Sequence, residues 1–110
     1  MIATRISKDD ALRAAVADLP KLPWLAADFV EADCRIGDDS TGDPAVWIRL
    51  IAKDETIERP GFFDGFYDTR VRIRDHLRDV DLLGDRWAYF DLETVSERRE
   101  LLAGEDPFES

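Results

Sequence analysis

The fold is decided by residues 28–52, which read DFVEADCRIGDDSTGDPAVWIRLIA. Two runs in this stretch alternate apolar and polar residues, which is the pattern of a strand with one face toward water. The apolar positions on the predicted inner face are Val30, Ala32, Cys34, Ile36, Val46, Ile48, Leu50 and Ala52. Residues 37–44, between the two runs, are rich in glycine and aspartate and end in proline, which is typical of a turn. The stretch therefore predicts two strands that are joined by a loop and paired antiparallel.

A short amphipathic helix is predicted before this hairpin. Apolar residues recur at helical spacing from Ala11 to Leu19, and Ser7 with Asp10 resembles a capping box in which Asp replaces the usual Glu. Pro20 and Pro23 are expected to end the helix, because proline lacks the N–H group that a helix interior needs. Lys21–Leu25 are expected to form a rigid connector.

A longer helix, a third strand and a last helix are predicted after the hairpin. The longer helix spans Phe62–Leu82 and turns an apolar stripe toward the sheet. The stripe consists of Phe62, Phe66, Ile73, Leu77 and Val80. Alternation predicts a strand over Arg86–Leu92, and Thr94 with Glu97 predicts the capping box of a helix that ends at Gly104. The order α-β-β-α-β-α predicts an α+β fold, a two-layer sandwich with a three-stranded sheet and helices mainly on one face.

Length and composition favour a single domain. The chain has 110 residues, and we place the domain at residues 1–104 and an acidic tail at residues 105–110. No apolar run approaches the roughly 18 residues of a membrane span, and the N-terminus lacks the apolar stretch of a signal peptide. Cys34 is the only cysteine, which excludes an internal disulfide and a multi-cysteine metal site. We therefore expect a cytoplasmic protein.

The charge of the chain is acidic and unevenly distributed. Twenty-five acidic and 15 basic side chains give a net charge of −10. Residues 91–110 carry half of this excess, with seven acids against two arginines. A surface of this sign repels phosphate, so the sequence argues against binding of nucleic acid and against docking on anionic membranes.

The predicted outer face of the sheet carries many large apolar side chains. These are Phe29, Trp47, Ile51, Trp87 and Tyr89. Helices on one side of a sheet cannot cover the other side, and a monomer rarely exposes an apolar patch of this size. We therefore predict that these residues bind a partner, most simply a second copy across a twofold axis. Two alternatives stay open: the last helix folds back over this face, or a one-residue shift in register exchanges the two faces.

Three arginines are candidates for binding an anion. Arg49 lies on the predicted outer face, and Arg70 and Arg74 border the apolar stripe of the longer helix. Guanidinium groups interleaved with aromatic rings can hold phosphate or carboxylate groups. The same helix carries five aspartates, several of them at spacings that allow ion pairs with its arginines. A solvated face that neutralises itself is therefore the alternative interpretation.

The sequence contains no recognisable catalytic or metal-binding motif. His76 is the only histidine and is typical of a surface imidazole, while Cys34 is expected to act as a small core residue. Asp38, Asp39 and Asp43 offer oxygen ligands for a weak divalent-cation site, but a plain hairpin loop is the simpler interpretation. We therefore predict no catalytic residue, no metal and no cofactor.

Two classes of function remain. The sequence favours a small acidic protein-interaction module without catalytic activity, in the size range of antitoxins, immunity proteins and accessory subunits, that forms a homodimer or binds another protein. The alternative is a small ligand-binding domain or enzyme, in which Trp47, Trp87 and Tyr89 line a pocket and Arg49 or Arg70 orients an anionic ligand. A mimic of nucleic acid is disfavoured, because arginines interrupt the rows of acids that it needs.

Overall fold

The structure, a computed structural model, describes the backbone of residues 8–104 and the side chains of residues 8–100. Its elements are α1 (Lys8–Ala17), a 3₁₀ helix (Leu19–Lys21), α2 (Pro23–Ala26), β1 (Phe29–Asp38), β2 (Pro44–Ala52), α3 (Asp54–Glu58), α4 (Phe62–Asp79), β3 (Trp87–Thr94) and α5 (Val95–Gly104). The predicted α+β class and its element order are confirmed. Ser7 of the first predicted capping box and the predicted tail lie outside the described residues.

The three strands form one mixed sheet in the order β1-β2-β3. β1 and β2 form the predicted antiparallel hairpin, whereas β2 and β3 run parallel. Parallel neighbours need a crossover connection, which α3 and α4 provide here. β2 is therefore the middle strand, and β1 and β3 are the two edges of the sheet.

The core lies between the inner face of the sheet and the helices α1 and α4. The inner residues of β2 have no accessible surface; they are Val46, Ile48, Leu50 and Ala52. Leu12 and Val16 of α1 and Ile73 and Leu77 of α4 complete the same cluster. These four helical positions belong to the apolar series found in the sequence, so the prediction of the two helix faces is confirmed here.

A β-bulge at the start of β1 corrects the prediction for Phe29 and Val30. The register shifts between Phe29 and Glu31, so that Phe29 pairs with Ala52 on the inner face. Phe29 is buried against the rings of Phe62 and Phe66, at centroid distances of 6.5 and 6.4 Å. Val30, predicted to point inward, is 49% exposed. One extra residue in a strand exchanges the faces of the residues before it, which strict alternation cannot anticipate.

The C-terminal end of α4 also differs from the prediction. The helix ends at Asp79 rather than at Leu82, and Val80, which the predicted stripe included, is 47% exposed. Asp81 then adopts a positive φ of 58°, a conformation that aspartate tolerates better than most residues. The N–H group of Leu82 returns to the carbonyl of Leu77 at 3.0 Å and closes the helix end.

Short helices form in two segments for which the sequence predicts no helix. The segment before β1 contains the 3₁₀ helix and α2, and α3 follows β2 directly. Asp28, directly before β1, contacts the segment around α3. Its carboxylate accepts hydrogen bonds from the Thr56 hydroxyl at 3.3 Å and from Arg59 Nη1 at 3.2 Å. The start of β1 is thereby fixed to the connection that leads into α4.

Candidate functional site

The outer face of the sheet is built from rows of side chains that cross all three strands. From the β1–β2 loop toward α5, the rows are Arg35, Trp47 and Tyr89; Asp33, Arg49 and Asp91; and Glu31, Ile51 and Glu93. Aromatic side chains therefore lie at the loop end of this face, and charged side chains at the α5 end.

The loop end carries a ladder of one guanidinium group and two rings. The rings of Trp47 and Tyr89 stack at a centroid distance of 5.7 Å and an interplanar angle of 18°. The guanidinium of Arg35 lies 4.1 Å from the centroid of the Trp47 ring, a cation–π contact. Trp47 also lies over Gly37, where an added Cβ would be 3.7 Å from its ring. These contacts fix the orientation of the Trp47 and Tyr89 rings within the chain.

Trp87 extends this ladder toward the start of β3. It pairs with Ala45 in the parallel register, two residues before Tyr89 on the same face. Its side chain is 58% exposed and that of Tyr89 is 42% exposed, whereas Trp47 is half-buried. We call Arg35, Trp47, Trp87 and Tyr89 together the outer aromatic surface.

The β1–β2 loop orients the Tyr89 hydroxyl through Asp39. This hydroxyl donates to Asp39 Oδ2 at 3.2 Å, while Asp39 Oδ1 accepts from the Thr41 hydroxyl at 2.6 Å and from the Asp43 N–H at 3.0 Å. The hydrogen bond from Thr41 is the main reason why the pKa of Asp39 lies below its usual value. Partial burial, followed by the hydrogen bond to Asp39, raises the pKa of Tyr89. The carboxylate of Asp39 is thus already occupied by donors from the loop and from Tyr89.

The α5 end carries a compact set of two acids and two arginines. Arg49 forms a bidentate pair with Asp33, with Nε and Nη2 at 3.0 and 2.8 Å from the two carboxylate oxygens. Arg49 also lies 3.7 Å from Glu93, and Arg98 of α5 lies 4.0 Å from Asp33 and 3.9 Å from Glu93. The hydrogen bonds that Arg49 donates to Asp33 are the main cause of the raised pKa of Arg49. We call these four residues the ion-pair cluster; their formal charges cancel.

α5 crosses the outer face because it starts directly at the end of β3. Thr94 donates its N–H to Glu97 Oε1 at 2.9 Å, and Glu97 donates its N–H to Thr94 Oγ1 at 3.1 Å, which confirms the predicted capping box. Ser96 donates its N–H and its hydroxyl to the carboxylate of Asp54 and so ties α5 to α3. Since Arg98 of α5 reaches Asp33 and Glu93, this end of the face is covered from within the chain.

The five predicted partner-binding residues therefore separate into two groups. Trp47, Trp87 and Tyr89 come together on the outer aromatic surface. Ile51 lies on the outer face by register, but it is only 2% exposed, at the end of the sheet that α5 crosses. Phe29 belongs to the core because of the bulge. For Ile51 and Phe29 the prediction of an exposed binding position is wrong; the alternative in which the last helix folds back holds for one end of the face only.

The middle of the outer face is concave. A depression of about 670 Å³ is lined by Asp33, Cys34, Arg35, Trp47, Arg49, Phe90 and Asp91. Its aromatic wall is Trp47, and its charged wall is the pair of Arg49 with Asp33. Binding sites for small molecules commonly occupy about 300–1,000 Å³, so the size of this depression falls in their range.

The three predicted anion-binding arginines do not come together. Arg49 lies on the outer face in the ion-pair cluster, whereas Arg70 and Arg74 line a cavity of about 120 Å³ between α4 and β3. Arg70 lies over the rings of Phe66 and Tyr67, at 5.5 and 5.4 Å. The Nε atoms of Arg70 and Arg74 are buried without a hydrogen-bond partner. Arg74 Nε lies 3.9 Å from Asp75 Oδ1, whereas Arg70 contacts its neighbours through the two rings.

The remaining polar candidates are each engaged locally. The ring of His76 packs edge-on against Trp24 at 6.5 Å, and Cys34 is half-buried on β1, where burial raises the pKa of its thiol. Within residues 8–104 no group of three or more histidine, cysteine or carboxylate side chains has the arrangement of a metal site. This includes Asp38, Asp39 and Asp43; the carboxylate of Asp39 accepts hydrogen bonds from Thr41, Asp43 and Tyr89.

The contacts of two residues at the loop end of this face, Arg35 and Asp39, were not predicted from the sequence. Alternation in the first strand places Arg35 on the outer face, and Asp39 was considered only as a loop residue and a possible cation ligand. Finding their partners required the register of the hairpin, which pairs Arg35 with Trp47, and the position of β3, which brings Tyr89 to Asp39. Asp33 and Arg49 shared a predicted face, and the same register would have revealed their ion pair.

Comparisons with protein-family models, with curated proteins and with solved structures returned no match. No helix in the described part of the chain combines the length and the apolar character needed to cross a membrane. Any proposal about function therefore depends on the geometry of the outer face.

Proposed function

We propose that this chain is a non-catalytic protein-interaction module, and that it binds its partner through the outer aromatic surface. The observation that carries the proposal is the exposure of Trp87 and Tyr89 next to a Trp47 that is already stacked in place. Tryptophan, tyrosine and arginine are the residues that most often dominate the energy of protein–protein interfaces. Fully burying one large apolar side chain contributes roughly 1.5–3 kcal/mol to the free energy of association. A partner that covers three neighbouring rings would gain a contribution from each of them.

The order of these side chains supports binding rather than simple exposure. Arg35, Trp47 and Tyr89 hold one another by stacking, and Asp39 fixes the Tyr89 hydroxyl. Side chains that are ordered before association lose less conformational entropy when a partner covers them. The surrounding groups are polar, with the ion-pair cluster on one side and the acidic loop on the other, as in interfaces with an apolar centre and a polar rim.

The proposal is tested with variants matched for exposure. Trp87→Ala removes the most exposed ring of the outer aromatic surface, and Val80→Ala shortens an apolar side chain that is 47% exposed at the end of α4, beside Ala15 and Leu82, and does not belong to this surface. The association constant is measured for self-association by sedimentation and, for any protein partner that is found, by titration with that protein in purified form. We expect Trp87→Ala to weaken binding about tenfold or more and Val80→Ala to leave it unchanged. Equal effects of the two variants, or no association by either route, contradict the proposal.

A second candidate function is supported by the concavity of the face. The depression next to Trp47 has the volume of a ligand site, and Arg35 and Asp91 at its margin belong to none of the ion pairs found among the described residues. A small anionic or zwitterionic metabolite would there stack on Trp47. Titration of a metabolite panel against tryptophan fluorescence, with Trp47→Phe as the control, tests this candidate. Saturable quenching that Trp47→Phe abolishes supports a ligand-binding domain, and its absence across the panel counts against it.

A further inference from the structure

β3 is an edge strand with a free side. It pairs only with β2, and among the described hydrogen bonds the single contact of another element with its backbone is the capping bond at Thr94. The N–H and C=O groups that point away from β2 therefore lack a strand partner. A row of such groups is a template for pairing with a further strand.

Apolar side chains border this free edge on both faces of the sheet. The inner residues of β3 are only half-buried, in contrast to those of β2; they are Ala88, Phe90 and Leu92. Tyr67 of α4, 61% exposed, and Val71 line the cavity above Ala88 and Phe90. On the outer face, Trp87 and Tyr89 are exposed beside the same strand. The sheet therefore ends at β3 before its two apolar layers are covered.

We propose that a second copy of this chain pairs along β3, antiparallel and across a twofold axis at Phe90, so that two three-stranded sheets become one sheet of six strands. This inference deepens the proposed function, on which it rests, by naming the partner and the edge at which it binds. An isologous contact of this kind closes with two copies, because each β3 edge is used once.

The sequence of β3 selects the register of this pairing. Only registers that keep inner residues opposite inner residues preserve the two faces, which restricts the twofold to a position on a residue. With the axis at Phe90, Tyr89 faces Asp91 of the other copy and Trp87 faces its Glu93, so that no acid lies opposite an acid. With the axis at Asp91, two aspartates would face each other, which destabilises a strand pair. With the axis at Tyr89, fewer residues of the strand overlap.

The helix layer fits the same axis. Tyr67 and Arg74 are the first and last of the α4 residues that line the cavity over Ala88 and Phe90. A twofold at Phe90 places the two α4 helices side by side and antiparallel, with Tyr67 of one copy near Arg74 of the other. A guanidinium over a tyrosine ring is a favourable contact, and it would cover the Tyr67 side chain that is exposed in the single chain.

The test uses cysteines placed on the inner face of β3, so that the outer aromatic surface stays intact. In a Cys34→Ser background, chains with Ala88→Cys are mixed with chains with Leu92→Cys, because these two positions face each other in the proposed register. Opposite residues of antiparallel strands have Cα atoms about 4.5–5.5 Å apart, within the range of a disulfide. We expect mild oxidation to cross-link the mixture and to give several-fold less product with either chain alone.

The matched control repeats the spacing on the other edge of the sheet. Chains with Ala32→Cys and chains with Ile36→Cys carry the same pair of inner-face positions on β1, and we expect no cross-linking from their mixture. The unmodified chain, measured by light scattering from micromolar to millimolar concentration, should approach twice the mass of 12.6 kDa.

Each other outcome identifies which proposal fails. A monomer at every concentration overturns pairing at β3, while the proposed function survives if Trp87→Ala still weakens binding of a purified partner. A dimer that cross-links on β1, or that shows no cross-link on β3, overturns the inferred edge but not self-association. A monomer that also binds no protein removes both proposals.

Discussion

The two ends of the outer sheet face differ in what lies over them. At the α5 end, Ile51 is 2% exposed and the ion-pair cluster covers the strands. At the loop end, Trp87 is 58% exposed, although it is the larger apolar side chain. The difference arises because α5 leaves β3 toward β1 and reaches only one end. Burial on this face therefore follows the course of the last helix and not the apolar character of each residue.

The largest effect expected from this comparison is a difference in the free energy of unfolding between variants of the two ends. Ile51→Ala should lower the free energy of unfolding by about 2–5 kcal/mol, because it leaves a cavity under the end covered by α5. Trp87→Ala should change it by less than about 0.5 kcal/mol, since an exposed side chain loses few contacts. Urea denaturation of both variants gives the two values. Comparable losses of stability would show that the two ends are not covered differently.

The ion-pair cluster should contribute less to the free energy of unfolding than Ile51 does, but more than the guanidinium of Arg35 at the loop end. Arg49→Ala leaves Asp33 and Glu93 without their closest cation, and we expect a loss of about 1–2 kcal/mol, moderated because the pair is partly exposed to water. Arg35→Ala removes a cation–π contact alone and should cost about 0.5 kcal/mol. The same denaturation measurement orders the two variants. A larger loss of stability for Arg35→Ala than for Arg49→Ala would contradict the expectation that the α5 end is the more tightly held end of the face.

The smallest effect expected is a change in titration at the loop end. In a Tyr67→Phe background Tyr89 is the only tyrosine, so its phenolate can be followed by ultraviolet absorbance. Asp39→Asn removes the carboxylate that helps to raise the pKa of Tyr89, and this pKa should therefore fall toward the usual value of tyrosine. Partial burial is the larger cause of the shift and stays, so the pKa should not reach that value. An unchanged pKa would mean that Asp39 does not hold the hydroxyl in solution.

The carboxylate of Asp39 also determines how the stability of the loop changes at acid pH. The pKa of Asp39 is lower in the folded chain than in an unfolded one, so its hydrogen bonds stabilise the loop above the usual aspartate range. This contribution is lost as the pH falls through the lowered pKa. Asp39→Asn should therefore show a weaker loss of stability at acid pH than the unmodified chain.

Local patterns in the sequence were sufficient for the three strands, the three longer helices and much of the core. Alternation in residues 28–52 predicted the hairpin, and the Thr94–Glu97 capping box predicted the start of the last helix, because both are determined by neighbouring residues. The bulge at Phe29 was not predictable, since an inserted residue leaves no mark on an alternating pattern. The short helix α3 was missed because it has too few residues to show a period.

The candidate site depended on contacts between distant residues, and these lie beyond such patterns. The sequence placed Trp47, Trp87 and Tyr89 on one face, and the register brings them together there. It could not show that α5 covers Ile51, that β3 lies at an edge or that Arg49 is neutralised by Asp33 and Glu93. Each of these facts depends on strand order or on the direction of a helix. The spacing of apolar residues within one strand or helix contains no information about either.

Thr94 is at once the last residue of β3 and the capping residue of α5, and no loop separates the two elements. We therefore expect β3 and α5 to move together as one rigid unit. A displacement of β3 would be transmitted to Arg98 and to its contacts with Asp33 and Glu93. Binding of a partner along the edge of β3 would thus change the tilt of α5 over the opposite end of the sheet.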